Sequence, residues 1–245
     1  MLISDKVERD RRSQEKVITL LMFLKQETYS NFSVIKYLFE FKSDRPLYRL
    51  LAKVEMLGLI QKHVHSMRAG KISIWGITQE GLATVILKGD NVFPPRFEPS
   101  KLKGWTLDHH LDNQLVYLSL TKQGCTDWIN GDRNTFSDQF KVKHRPDGVI
   151  TLPNGKRIAI ETERSLKTKA RYQQIIASHL KARTENLWFY VFYIVPDEQK
   201  KCALMLLFNS IKYVVENGQH VVLEAKHRGI LKVFTIKELT RVSLQ

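Results

Sequence analysis

Three acidic residues carry the spacing of a divalent-metal centre. Glu161 and Glu163 lie two apart in Lys156-Arg157-Ile158-Ala159-Ile160-Glu161-Thr162-Glu163. A strand turns successive side chains to opposite faces, so the two glutamates point one way while Ile160 and Thr162 point the other. Asp147 belongs to the preceding run, Arg145-Pro146-Asp147-Gly148-Val149-Ile150-Thr151-Leu152, and Pro153-Asn154-Gly155 between the runs is a strong hairpin signal. The turn brings Asp147 across from the glutamate pair. Like charges this close raise one another's pKa unless a cation sits among them, and clustered oxygen ligands suit Mg²⁺ or Mn²⁺.

Plainer readings compete at each position. Glu161 and Glu163 beside Arg157 and Arg164 also fit an exposed, salt-bridged edge. The apolar residues between the acids, Val149, Ile150, Ile158, Ala159 and Ile160, make a core hairpin instead, where three acids without a use are rare. His109 and His110 read equally well as a packing pair and as catalytic groups, and His144 reads as structural. The aromatic run from Trp188 to Tyr193 reads as a core strand. Cys125 and Cys202 lack partners at zinc spacing.

The elements that must position these groups follow from the chain as a whole. Its 245 residues carry a net charge of +14, which favours a polyanionic partner, because Lys and Arg that neutralise phosphates release condensed counterions. No stretch approaches a membrane span, and no direct membrane insertion and no small-molecule cofactor is expected. A charged N-terminus and two cysteines fit a cytoplasmic protein. Proline-rich residues 91–104 read as a linker between a domain at 1–90 and a second at 105–245.

In the first domain, Val17, Leu20, Leu21 and Leu24 mark one helix and a second ends near Phe41. A third opens with Ser43-Asp44 and Pro46 and stripes Leu47, Leu50, Leu51, Val54 and Leu57. Two β-type runs follow, joined by Met67-Arg68-Ala69-Gly70-Lys71, then a helix capped by Thr78. This order, with Leu57-Gly58-Leu59-Ile60 and Trp75-Gly76-Ile77-Thr78, resembles the winged helix-turn-helix. The resemblance implies that Arg45, Tyr48, Arg49 and Lys53 face bases or phosphates in the major groove, and that Arg68 and Lys71 of the wing touch the backbone or minor groove.

The second domain reads as α/β around a mixed sheet: a helix through His109-His110-Leu111-Asp112-Asn113, the hairpin, a helix from Thr168 to Arg183, a buried strand at Trp188–Val195, a helix from Leu204 to Val215, and two closing strands. Pro146-Asp147, the hairpin and Glu161-Thr162-Glu163 resemble the restriction-endonuclease-like, PD-(D/E)xK family of metal-dependent nucleases. Glu163 stands where that family usually has Lys. Lys169 is the favoured substitute, with Tyr172 and Ile176 on its helix face, ahead of Lys167 and Arg171.

Glu-x-Glu, Lys169, Tyr172 and the His-Leu-Asp-Asn helix together resemble the MobC-type relaxases of mobilisable plasmids, α+β proteins in which a winged helix precedes an endonuclease-like domain. The resemblance implies a strand-specific nick in double-stranded DNA at an origin of transfer, with an accessory protein and a coupling protein as partners. It implies Asp147, Glu161 and Glu163 as metal or catalytic carboxylates, Lys169 as the charge-stabilising base, and His110, Asn113 and Tyr172 as further site residues. The competing expectations are an inactive DNA-binding accessory protein and a transposon- or defence-type endonuclease of the same fold.

Overall fold

Val17, Leu20, Leu21 and Leu24 are buried along one stripe of the first helix, α1 (Lys6–Glu27), whose N-terminus is capped by the Asp5 side chain accepting from the Val7 N–H. The computed structural model describes residues 5–67, 70–87, 90, 94–216 and 218–242. Arg68, expected in the wing, lies outside them. Packing divides the chain into two units, before and after Gln114. That division falls inside a helix, beyond the proline-rich stretch. Phe97 of that stretch is buried in the first unit, its N–H donating to the Ile77 carbonyl at 2.9 Å.

The first unit continues through β1 (Tyr29–Asn31), α2 (Phe32–Phe39), α3 (Arg45–Met56), β2 (Ile60–Met67), β3 (Gly70–Ile77) and α4 (Gln79–Val85). The strands form an antiparallel sheet in the order β1-β3-β2. The strand β1 falls where the sequence suggested only a break between helices. Leu47, Leu50, Leu51 and Val54 of α3 are buried as their spacing predicts. Leu57 departs from the stripe: it caps the helix and is exposed. Thr78 caps α4 by accepting from the Gly81 N–H at 3.0 Å.

The second unit begins within α5 (Gly104–Thr121) and runs through β4 (Thr126–Asn130), α6 (Asn134–Gln139), β5 (Gly148–Thr151), β6 (Arg157–Thr162), α7 (Lys169–Thr184), β7 (Tyr190–Val195), α8 (Glu198–Ser210), β8 (Tyr213–Glu216), β9 (Gln219–Val222), α9 (Ala225–Arg228), β10 (Leu231–Thr235) and α10 (Ile236–Leu239). Five strands make a mixed sheet in the order β10-β7-β6-β5-β4. The pairs β4–β5 and β5–β6 are antiparallel, while β6–β7 and β7–β10 are parallel. The chain is thus an α+β protein. One sheet face packs Val149, Ala159, Val191 and Tyr193 with Tyr172 and Ile176 of α7 and Phe208 of α8; the other packs Ile150, Ile158, Ile160 and Ile194 with Val116 and Leu120 of α5.

Two readings of the second half are corrected. The helix expected from Leu204 to Val215 ends at Ser210, and Tyr213–Glu216 instead pairs antiparallel with β9. Gly218, at φ +80°, supplies the left-handed backbone that such a turn requires, and the apolar residues of the short strand imitate a helical period. The stretch read as merely polar before the hairpin contains β4, whose register shifts between Thr126 and Ile129. Among the described residues no helix is long and apolar enough to cross a membrane.

Gly131 sets the approach to the acidic hairpin. Its N–H donates to the Asp147 carbonyl at 2.9 Å, and a Cβ added to it would meet the Pro146 carbonyl oxygen at 2.0 Å. Backbone has to move to admit any side chain there. Gly131→Ala is therefore expected to destabilise the chain by about 1–3 kcal/mol, read as a lower urea midpoint. An unchanged midpoint would show that this close approach is unimportant.

Candidate active site on the β5–β6 hairpin

The strand ladder places the acids. Gly148 pairs with Ile160, the Asp147 N–H donates to the Ile160 carbonyl at 2.9 Å, and the Thr162 N–H donates to Asp147 Oδ2 at 2.6 Å. Glu161 pairs with Tyr193 on the parallel side, and the Glu163 N–H donates to the Ile194 carbonyl at 2.8 Å. Glu161 and Glu163 follow Ala159 onto the α7 face, and Asp147 precedes Val149 onto the same face, as alternation predicts.

Burial makes this arrangement costly unless each charge is met. Glu161 is 3 % exposed and Glu163 1 %. His144 Nε2 lies 2.7 Å and His179 Nε2 3.0 Å from the same oxygen, Glu161 Oε1. Burial by itself would raise the Glu161 carboxyl, but the two histidines outweigh it and hold the group down at about 2. Glu163 moves the other way: burial raises its pKa although the Lys167 amine pairs with it, and Glu161 and Asp147 add to the rise. The end of β6 and the residue just past it therefore present two carboxylates whose surroundings drive their proton affinities apart, a pattern typical of catalytic acid–base pairs.

Lys167, not Lys169, reaches the acids. It stands in the segment between β6 and α7, with its amine on Glu163 and 5.8 Å from the centre of the Tyr172 ring. Lys169 opens α7 from the exposed side and donates to the Ser210 carbonyl at 2.8 Å. Tyr172 is buried, its ring edge-on to Tyr193 and Phe208 and its hydroxyl accepting from the Lys167 N–H at 3.4 Å. Burial, then Glu163, raises its phenol. The Tyr193 hydroxyl is buried without a hydrogen-bond partner among the described residues, and burial pushes it well up.

His110 has its partners in the first unit. Its Nε2 is 3.2 Å from the Glu27 carbonyl and 2.8 Å from the Gln114 amide, and its ring lies against Tyr29. Asn113, one turn on, is buried. The histidines that do meet the acids are His144 and His179, one read as structural and the other passed over. The signal for His179 was its place on the buried stripe of α7 with Tyr172, Ile175 and Ile176.

The basic face of the first unit is also in place. Arg45, Tyr48, Arg49 and Lys53 are exposed on α3, and Lys71 is exposed on β3. Arg49 and Lys53 share a cleft of about 400 Å³ with Arg9, Arg12 and Lys16 of α1, and no acidic residue lines it. The α1 cations were not singled out from sequence. In the second unit a smaller cleft of about 160 Å³ has Lys141, Lys143 and Lys181 in its walls together with Ser178, whose hydroxyl accepts from the His144 N–H at 3.0 Å. A larger cleft, about 530 Å³, is lined by other residues, among them Asp197, Lys201, Phe234 and Glu238, and includes none of the three acids. Converging charge, rather than cavity size, identifies the candidate site.

Comparison of the chain with protein-family models, with curated proteins and with solved structures finds no match to any of them.

Proposed function

We propose that this protein is a metal-dependent DNA endonuclease that nicks one strand at a plasmid origin of transfer, as a relaxase of the MobC type. The observation that carries the reading is that Asp147, Glu161 and Glu163 lie on the α7 side of one hairpin, near enough for Glu161 and Asp147 to raise the Glu163 pKa, with the Lys167 amine on Glu163. Among the described residues the three carboxylates do not form a group with ligand atoms within 4.8 Å of one another, whereas His144, Glu161 and His179 do. The succession α5-β4-α6-β5-β6-α7-β7, with two antiparallel pairings followed by a parallel one, agrees with a restriction-endonuclease-like core. The succession α1-β1-α2-α3-β2-β3, with strand order β1-β3-β2, agrees with a winged helix.

Three carboxylates, two of them buried, offer the hard oxygen ligands a divalent ion such as Mg²⁺ prefers, near a Tyr193 hydroxyl that has no hydrogen-bond partner among the described residues. Mg²⁺ or Mn²⁺ held by Asp147 and Glu161 would supply a Lewis acid and an acidified water. Glu163 orients the attacking water. Lys167 lies where Lys169 was expected to act and offsets the charge that develops on the phosphate. Tyr172 closes the site from the α7 side and holds the Lys167 backbone. Arg45, Tyr48, Arg49, Lys53 and Lys71, with the α1 cations, bind the duplex. An accessory protein and a coupling protein complete the proposed assembly.

The reading is tested on end-labelled duplexes spanning the chain's own locus: in Mg²⁺ or Mn²⁺ one strand is cut at one position, and chelation stops the cut. Arg49→Ala or Lys53→Ala is expected to weaken DNA binding by on the order of 1–3 kcal/mol where the side chain reads a base edge, and affinity falls steeply with added salt. Salt-independent binding would contradict phosphate contact by this face.

One observation favours a second reading, a DNA-binding regulator whose nuclease fold is inactive. Two histidines already occupy Glu161 Oε1, and Glu163 fills the usual lysine position. That protein would bind the same duplex and cut neither strand in any metal.

A further inference from the structure

His144 and His179 come from different elements and converge on one atom. His144 precedes β5, and its N–H donates to Ser178 Oγ at 3.0 Å, so the neighbour of His179 on α7 fixes the segment that carries His144. The imidazole planes stand at 88° with centroids 5.5 Å apart, and both Nε2 atoms lie within hydrogen-bond reach of Glu161 Oε1. One ligand atom from each of the three residues lies within 4.8 Å of the other two. His179 is 0 % exposed and Glu161 3 %.

Hydrogen bonding alone leaves this cluster incomplete. With Nε2 committed to Glu161, His179 Nδ1 is buried without a hydrogen-bond partner among the described residues, and so is the hydroxyl of Tyr193, which is register-paired with Glu161 and edge-on to the His179 ring. Buried polar atoms in native proteins are nearly always satisfied, so the orphaned Tyr193 hydroxyl beside this carboxylate points to a polar ligand here, whereas His179 Nδ1 faces away from Glu161 and is not met by a ligand at Nε2. Nitrogen donors change the kind of ion such a place would take: carboxylates and water suit Mg²⁺, whereas imidazole suits zinc and its first-row neighbours.

We propose that His144, Glu161 and His179 form a binding site for a divalent transition metal of the zinc class, which Mg²⁺ does not displace. A water on that ion would give the Tyr193 hydroxyl its partner. The inference deepens the nuclease reading, on which it rests only for the use of the metal in cleavage. Glu161 is the residue common to both sets of ligands.

The test uses the full-length chain, stripped by a chelator and dialysed against equimolar Zn²⁺ in excess Mg²⁺. About one Zn²⁺ per chain is expected to stay bound. His144→Gln and His179→Gln should each weaken Zn²⁺ binding by at least about 100-fold, since even changes outside the ligand set cost 10–100-fold. His144 lies near the surface and its variant should fold, which a circular-dichroism melt checks. X-ray absorption of the Zn²⁺-loaded wild type needs no variant and should show two imidazole nitrogens. Absence of stoichiometric Zn²⁺, no imidazole in the absorption spectrum, or unaltered affinity in both variants would overturn the site. DNA cleavage in the same preparations separates the two claims. Zn²⁺ bound through the histidines with no cleavage defeats the nuclease reading alone, whereas cleavage in Mg²⁺ by a chain that binds no zinc defeats the metal site alone.

Discussion

Asp147→Asn is expected to reduce strand scission by on the order of 10³-fold or more while leaving affinity for the target duplex unchanged. The substitution is nearly isosteric. The amide oxygen can still accept from the Thr162 N–H, which Asp147 Oδ2 now does at 2.6 Å, so the ladder at the mouth of β5 and β6 survives. What is removed is a negative charge and a good ligand for a hard cation, and neither is needed by the basic α3 face. Glu161 is a less clean target: its carboxylate holds both His144 and His179 in the interior, and Glu161→Gln would confound chemistry with folding. Scission and binding are measured on the same duplex, with a thermal melt as the check on folding. Near-normal cleavage by Asp147→Asn would remove the hairpin acids from the reaction.

The second large effect separates two lysines only two residues apart. Lys167→Ala is expected to lower the cleavage rate by on the order of 10²–10³-fold, the loss typical of removing one group that stabilises transition-state charge. Lys169→Ala should leave the rate unaltered, because its amine is spent on the Ser210 carbonyl at the protein surface. The contrast does not rest on stability. The Lys167 side chain is 36 % exposed, so its pairing with Glu163 is partly screened, and burial already raises the Glu163 pKa and eases protonation once the amine is gone. Lys167→Arg should recover part of the rate. Equal losses in both alanine variants, or loss in Lys169→Ala alone, would overturn the assignment of the amine.

Those two lysines also mark the boundary of what could be read in the sequence. Period-two alternation along β6 was enough to put Glu161 and Glu163 on one face, and the turn at Pro153-Asn154-Gly155 was enough to bring Asp147 to them, because both are local rules. Which lysine reaches the acids depends on the path of residues 163–168, where neither helix nor strand period applies, and helical spacing pointed to the wrong side of α7. The histidine pair was further out of reach. His144 and His179 meet only because α7 folds back over β6, and from one sequence each reads as a single imidazole in an ordinary setting. The short strands β1, β4 and β8 escaped for a related reason: segments of three to five residues carry too few side chains to display a period, and the partners of β1 and β4 lie far along the chain. In the first unit the buried stripe of α3 and its exposed cations followed from spacing alone, since one amphipathic helix sorts its own residues. The contribution of Arg9, Arg12 and Lys16 appeared only when α1 was packed beside α3.

Breakage of a sugar–phosphate bond is the property on which the proposed function depends. Its most direct measurement is the conversion of a supercoiled plasmid carrying the chain's own locus to the open circular form by the purified wild-type chain, followed over time with Mn²⁺ or Mg²⁺ and again with excess chelator. Open circles that accumulate only when metal is supplied, each with a single interruption at a fixed position in one strand, are the predicted result. A plasmid that is bound by the protein yet stays supercoiled in every metal would contradict it.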